Sequence, residues 1–442
     1  MKSLSLSKLG STLLFIVAFG FLYLGFYQNQ WKMVPKGKFN FFQNDVEGYV
    51  MARMVWTRQN GLFANGGLLG WGDVDPRDVN EVDYENQYNA YLQNLSFQTY
   101  WPKESHPGFQ GLFFSVMDQI SPFSPAKNLR SFRKLTSALF ALTLTGLITW
   151  FYKEFGGLSA FFVFASIIPS QWMTLFGRNL FFVSGLFYLP MLVLLFRLQA
   201  ERTGKQLSQT NLFWLAFSFI LLKCLFNGYD FILPTLGMAA SPLVFYGVLN
   251  KWSRDVFIKR FLIVVISASL AILASLFILS VQVMYASGSF QNGVSSILET
   301  IQRRTVSSDP NLQAIYGAAN QASVWSILKI YLSESYLYYF HLRYYALMIL
   351  FAIASAIYLI VNKIRFQDPD RSRKAIALIA VTWFSLLGPL SWYTIFKSVA
   401  YFHTHMNYLP WHMPFTLFGF GLCGFLIESL WLSRRKSIGE NP

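Results

Sequence analysis

An all-α, polytopic membrane helix bundle is the fold class that this sequence predicts, and three observations predict it. Of 442 residues, 54% are hydrophobic, 18% aromatic and 13% charged, whereas charged residues make up roughly a quarter of soluble domains. The apolar residues gather in runs of roughly twenty, enough to cross a hydrocarbon core of about 30 Å as helices. Lys and Arg collect between the runs in alternate short loops, as at Lys153, Arg197/Arg202/Lys205, Lys251/Arg254/Lys259/Arg260, Lys363/Arg366/Arg371/Arg373/Lys374 and Arg434/Arg435/Lys436. By the positive-inside rule those loops and both termini are expected on the cytoplasmic side.

Taken in order, the pattern predicts about ten spans: 9–27, 135–152, 158–173, 179–197, 211–227, 231–249, 261–286, 343–362, 375–395 and 408–432. The first has the basic start of a signal peptide, from Lys2 and Lys8, but no small-x-small cleavage site precedes Gln28-Asn29-Gln30-Trp31, so it reads as a retained helix. The third is short and carries Pro169. The organisation is therefore a first transmembrane helix (1–27), an extracytoplasmic loop (28–134), a transmembrane bundle (135–432) and a cytoplasmic tail (433–442), in the plasma membrane or, in a Gram-negative cell, the inner membrane. A net charge of +15 would suggest nucleic acid in a soluble chain; distributed this way it orients the spans instead, and no nucleic-acid partner is expected. Two cysteines in apolar surroundings, Cys224 and Cys423, offer neither a disulfide framework nor a metal site. The short basic loops hold no G-x-x-x-x-G-K-[ST] phosphate loop.

The long loop after the first span opens with Asp45-Val46-Glu47-Gly48-Tyr49. Val46, Tyr49, Val50, Arg53, Met54, Trp56 and Thr57 recur at helical spacing, as in an amphipathic helix on the bilayer surface, and Gly61, Gly66-Gly67 and Gly70 end it. An acid-rich stretch from Asp73 to Glu85 follows, and His106-Pro107-Gly108 returns the chain to the interface with Phe109, Leu112, Phe113 and Val116 on one greasy face. Two interfacial helices around a polar loop would form a lid over a site at headgroup level. Asp45 is either a helix N-cap or the catalytic acid–base group. Glu47, two residues on, diverges from it on a helix and reads as a partner or acceptor-binding group.

Other polar residues fall on the same predicted face. Arg178 joins two apolar runs and is either a substrate ligand or a snorkelling residue. Lys223, within apolar sequence, is expensive unless paired, and Asp230 is its natural partner, so the two form either a structural ion pair or part of a substrate-binding site. Arg303 and Arg304, with Arg343 and Lys397, suit either a phosphate clamp or contacts to anionic headgroups. His403 and His405 flank Thr404; with no H-E-x-x-H or acidic cluster, hydrogen bonding to substrate is favoured over a metal, and no cofactor is called for. His106, His341 and His412 also lie near this face, and Trp392-Tyr393, Tyr408 and Trp411 read as aromatic belt.

This layout, with Asp45 and Tyr49 just beyond the first helix, resembles the GT-C class of integral membrane glycosyltransferases, such as the protein O-mannosyltransferases and lipid A aminoarabinose transferases. The resemblance implies an inverting enzyme that takes a sugar from a polyprenyl-phosphate carrier to an extracytoplasmic acceptor. It also implies Asp45 or Glu47 as base, Tyr49 beside it, and Arg178, Lys223, Arg303 and Arg304 toward the donor phosphate. Family members commonly have adjacent Asp-Glu, and this chain has Asp-x-Glu. The rival readings are a lipid-linked glycan flippase, against which no matching halves are visible, and a non-catalytic polysaccharide assembly subunit.

Overall fold

The computed structural model describes residues 2–73, 84–305, 317–319, 321–337, 341–365, 368–404 and 408–439. Among these, seven helical segments are long and apolar enough to cross a membrane: Gly10–Gln28, Pro125–Phe155, Gln209–Asn227, Ile232–Leu249, Arg254–Ser287, Pro369–Ile395 and Leu409–Trp431. The chain is nearly all-α, with one two-stranded antiparallel ribbon, β1 (Gly70–Gly72) on β2 (Tyr100–Pro102).

The order begins with α1 (Lys2–Gln28), α2 (Lys36–Asn60), α3 (Tyr84–Leu92), α4 (Phe109–Ile120) and α5 (Pro125–Phe155). It continues with α6 (Gly157–Ile167), α7 (Gln171–Phe176), α8 (Gly185–Glu201), α9 (Gln209–Asn227), α10 (Ile232–Leu249), α11 (Arg254–Ser287) and α12 (Phe290–Arg304). Helices Val324–Ser333, Tyr344–Arg365, Pro369–Ser385, Leu387–Ile395, Lys397–Phe402 and Phe415–Gly439 complete it. The last of these packs on α6 through small residues: a Cβ on Gly424 would lie 2.7 Å from the Leu158 carbonyl oxygen, and the Ser159 hydroxyl donates to the Gly421 carbonyl at 2.8 Å. Close backbone approach of this kind is how helices associate where lipid removes the hydrophobic drive.

Several expected boundaries move, each for a visible reason. The second span begins at Pro125, because Ser124-Pro125 starts a helix that carries Lys127, Arg130, Arg133 and Lys134 ahead of its apolar run. The predicted 158–173 divides into the short helices α6 and α7 at Ser170, which caps α7 by accepting from Met173 N–H. The span expected from 179 becomes helical only at Gly185. Trp392, Tyr393, Tyr408 and Trp411 are buried, with Tyr393 and Trp411 rings 5.3 Å apart, so they are core and not an aromatic belt.

The helix expected on the bilayer surface also differs. α2 starts at Lys36, which puts residue 45 in its middle and removes the N-cap reading of Asp45; the residue before the helix is Pro35. Val50, Met51, Ala52, Met54 and Val55 are all buried, because α3 and α4 pack around α2. It is thus the core of a subdomain, and it ends where expected, at Gly61 with φ +89°. Arg53 is buried too, and its guanidinium donates to the carbonyls of Leu62, Ala64 and Leu68, folding the loop after α2 onto the helix. The stretch 74–83 lies outside the described residues. α4 turns the expected face outward: Phe113, Val116 and Ile120 are exposed, while Gln110, Ser115 and Asp118 point inward.

This subdomain docks on α11 through Gly66. The Gln282 side-chain amide donates to the Gly66 and Pro107 carbonyls at 3.0 Å each. Gly66 has φ +65°, and a Cβ there would meet the Gln282 carbonyl oxygen at 2.0 Å. Gly66→Ala is expected to destabilise the protein by more than about 2 kcal/mol, since the left-handed backbone alone costs about 1–2 kcal/mol. Gly61→Ala, where nothing lies within 4 Å, should cost less. Thermal unfolding of both variants in the same detergent checks the ranking.

Candidate functional site

Two polar clusters lie where the first-loop subdomain meets the helix ends. The first is built on Glu47, which is fully buried. Its Oε2 accepts from Arg133 Nη2 at 2.6 Å, Arg133 Nε at 3.0 Å and the Tyr88 hydroxyl at 2.7 Å, and its Oε1 accepts from Leu180 N–H at 3.1 Å. One carboxylate thereby joins α2, α3, α5 and the loop before α8. Burial, and then the Glu47 charge, push the Tyr88 phenol well above its ordinary range. The loop is fixed further by Asn179, whose Oδ1 accepts from Phe181 and Phe182 N–H and whose amide donates to Gln43 Oε1 at 2.9 Å. Asn227 Oδ1 accepts from Val183 N–H at 3.0 Å.

Arg178 belongs to this first cluster. It stacks on Phe39 at 4.1 Å and donates to Asn40 Oδ1 at 3.1 Å. Burial, followed by the neighbouring Arg133 charge, lowers its guanidinium to about 10.

The second cluster centres on Asp230. Its Oδ1 accepts from Arg304 Nη1 at 2.8 Å. The expected Lys223–Asp230 ion pair is not formed: Lys223 Nζ donates to the backbone carbonyls of Gly228 at 2.9 Å and Asp230 at 2.7 Å. The tight turn between α9 and α10 brings those carbonyls back over Lys223, and the carboxylate is left for Arg304. The turn needs Gly228, at φ +55°, because a Cβ there would meet His106 at 2.3 Å.

His106 is buried against this turn, edge-on to Phe181 at 5.2 Å. Its Nδ1 is 3.0 Å from the Ser105 hydroxyl, and its Nε2 is buried with no hydrogen-bond partner among the described residues. Burial lowers His106 to about 3, with Asp230 opposing the shift and Lys103 and Arg304 adding to it, so the imidazole is neutral at physiological pH. Burial raises the Asp230 carboxyl, but Arg304, His106, Lys223 and Lys103 outweigh that and hold it at about 2. Lys103 Nζ sits over the Tyr49 ring at 4.3 Å and nearer still to that ring than to Phe181, at 5.9 Å.

The sequence-predicted residues thus divide. Tyr49, His106, Lys223, Asp230 and Arg304 come together; Glu47 and Arg178 form the neighbouring structural hub. Position 45 is one helical turn before Tyr49 on α2, on the same face; its side chain, that of Arg303, and His405 lie outside the described residues. His403 is exposed in the turn after Lys397–Phe402, whose Ser398 hydroxyl donates to the Thr305 carbonyl at 3.1 Å. Arg343 forms a bridge with Ser335. His412 is a core residue, hydrogen-bonded to Ser170, Tyr344 and Thr416 at 3.1–3.3 Å.

Sequence reasoning missed Lys103, Tyr88 and Arg133. The signal for Arg133 was present: Lys127, Arg130, Arg133 and Lys134 put four cations on a face that the positive-inside rule leaves poor in them. Among the described residues no three His, Cys, Asp or Glu side chains gather as metal ligands would. No family model, curated protein or solved structure matches this chain.

Two outcomes follow from these geometries. Glu47→Gln leaves the largely buried Arg133 without its counter-charge and is expected to cost about 3–5 kcal/mol, read as a fall in the unfolding midpoint. For His106 the folded value, about 3, lies below the ordinary 6.5. The unfolded chain therefore takes up a proton first, and stability falls as pH drops from 6.5 toward 3, by up to about 1.4 kcal/mol per pH unit. Asp230 contributes in a lower window, its stabilisation being present above 3.8 and lost as pH falls toward 2. Between pH 6.5 and 4.5, then, His106→Gln should flatten the stability profile measured by thermal unfolding.

Proposed function

We propose that this chain is an integral membrane glycosyltransferase of the GT-C type, moving a sugar from a polyprenyl-phosphate carrier to an extracytoplasmic acceptor, with inversion at the anomeric carbon. The observation that carries the reading is the Asp230 cluster. Lys103 and Arg304 act on both the Asp230 carboxylate and the neutral His106 imidazole, and Lys223 acts on Asp230 as well, so three cations gather at one acid. A departing phosphate monoester carries about −1.5 to −2 at neutral pH, and cations gathered at one point suit the charge that develops on the leaving group. The buried His106 Nε2 adds a hydrogen-bonding nitrogen for one sugar hydroxyl.

In this reading the acceptor hydroxyl attacks the anomeric carbon, the bond from that carbon to the phosphate oxygen breaks, and the acceptor proton passes to Asp45. Asp45 takes this role because Glu47 is committed to Arg133, Tyr88 and Leu180. Tyr49, one turn on, lies under the Lys103 ammonium. His403, in the turn after Lys397–Phe402, and His405 are the residues we assign to the glycan. Counting 157–176, 185–201 and 344–365 as crossings beside the seven long segments gives ten spans, with both termini cytoplasmic in the plasma or inner membrane.

The test is a proteoliposome assay with purified polyprenyl-phosphate-linked sugar and candidate acceptors. Asp45→Asn is expected to lower transfer by about 10²–10⁴ with donor binding retained. Lys103→Gln and Arg304→Gln are each expected to weaken donor binding roughly ten- to a hundredfold, the loss of a hydrogen bond to a charged group. A folded Asp45→Asn protein that transfers at the normal rate removes Asp45 as base. Vesicles that move the lipid-linked sugar across the bilayer without forming a glycosidic bond establish the flippase reading instead.

A further inference from the structure

α12 follows the 34-residue helix α11 after a turn at Gly288, whose φ is +75°. It has two unlike faces. Phe290, Val294, Leu298 and Ile301, spaced by four, four and three residues, form one apolar stripe, and each is between 40% and 56% exposed. Gly293, about a quarter-turn round the helix from the stripe, lies so near α11 that a Cβ would come 2.6 Å from the Ser280 carbonyl oxygen, and Ile297 packs on Leu68, Leu279 and Val283. The far end is fastened as well, by Arg304 on Asp230 at 2.8 Å and by Ser398 on the Thr305 carbonyl at 3.1 Å.

We propose that α12 is seated in the headgroup–acyl boundary of the bilayer, and that this seat holds Arg304 against Asp230. The stripe commits to lipid as its occupant because α11, on which α12 packs, is long and apolar enough to cross a membrane and exposes Ile266, Leu270, Leu273 and Phe277 in the same way. A 15-residue helix, about 22 Å long, with its apolar side outward and Gln291, Asn292, Ser295, Glu299 and Gln302 around it, has the form of a helix lying in the interface plane. The bilayer thereby acts on the Asp230 cluster through one rigid element, independently of the reaction that the cluster serves.

The experiment uses the full chain in nanodiscs of phosphatidylethanolamine and phosphatidylglycerol, with Cys224 and Cys423 replaced by Ala and single spin labels at 294, 298, 295 or 299. Labels at 294 and 298 are expected to collide with oxygen several-fold more, relative to a water-soluble nickel complex, than labels at 295 and 299. Equal ratios on the two faces overturn the proposal, as does dipolar broadening at 294 or 298, which would put a second copy on the stripe. A label pair at 299 and 402 reads the coupling: its distance distribution should be narrow in wild type and broaden in Val294→Asp/Leu298→Asp. A distribution left unchanged in that variant overturns the link to Arg304. None of these readouts needs transferase activity, so they stand or fall apart from the proposed reaction.

Discussion

Glu47 and Arg133 form the ion pair on which the arrangement at this face depends. A buried carboxylate is costly in any protein unless its lone pairs are filled and its charge is met, and here four donors on three other segments do both. The consequence reaches beyond the pair. Because Leu180 N–H is among the donors, the loop 179–184 cannot drift from α2, and Phe181 is kept where it borders His106 and Tyr49. The scaffold of the second cluster is therefore set by the first.

The two clusters hold their acids differently. Around Glu47, four donors from three other segments fill the carboxylate, with Arg178 alongside. Around Asp230, three cations act on one carboxylate, the imidazole is neutral, and one ring nitrogen has no hydrogen-bond partner among the described residues. Burial keeps that imidazole neutral, since an imidazolium would add a further cation to a desolvated cationic group. Preorganised polarity of this sort is typical of sites that meet a charged group and atypical of core packing.

How far the sequence could be read depended on the length scale. Apolar runs set the helical membrane architecture, and glycines such as Gly61 marked real ends. Span edges were less legible because α5 carries four cations into its own first turns, and hydropathy discards such a segment although its backbone remains helical. Within the sites, Asp230 and Arg304 were recognisable as charges in costly places, whereas their pairing was not. Lys223 lay closer to Asp230 in sequence, yet the turn at Gly228 offered it carbonyl oxygens first. Periodicity found the apolar positions of α2 but could not tell a helix half-buried in lipid from one enclosed by protein, since both bury the same stripe. Lys103 carried no signal at all; only the fold brings it over Tyr49.

The two ends of α5 are held by unlike means. Arg133 is locked to Glu47 at one end, and at the other Glu154 accepts from Arg202 at 2.9 Å, Gln199 at 2.8 Å and Tyr246 at 3.0 Å. The interval between these anchors is about 32 Å of helix, close to the thickness of a bilayer's hydrocarbon core, about 30 Å. A helix fixed by buried charge at both ends has little freedom to tilt or slide. It acts as a gauge: a thinner membrane must stretch to meet it or leave apolar side chains in water, at a fraction of a kcal/mol per ångström of mismatch. Membrane thickness thus becomes a quantity that this protein can distinguish, which gives a physical basis for partitioning between bilayers of different lipid composition.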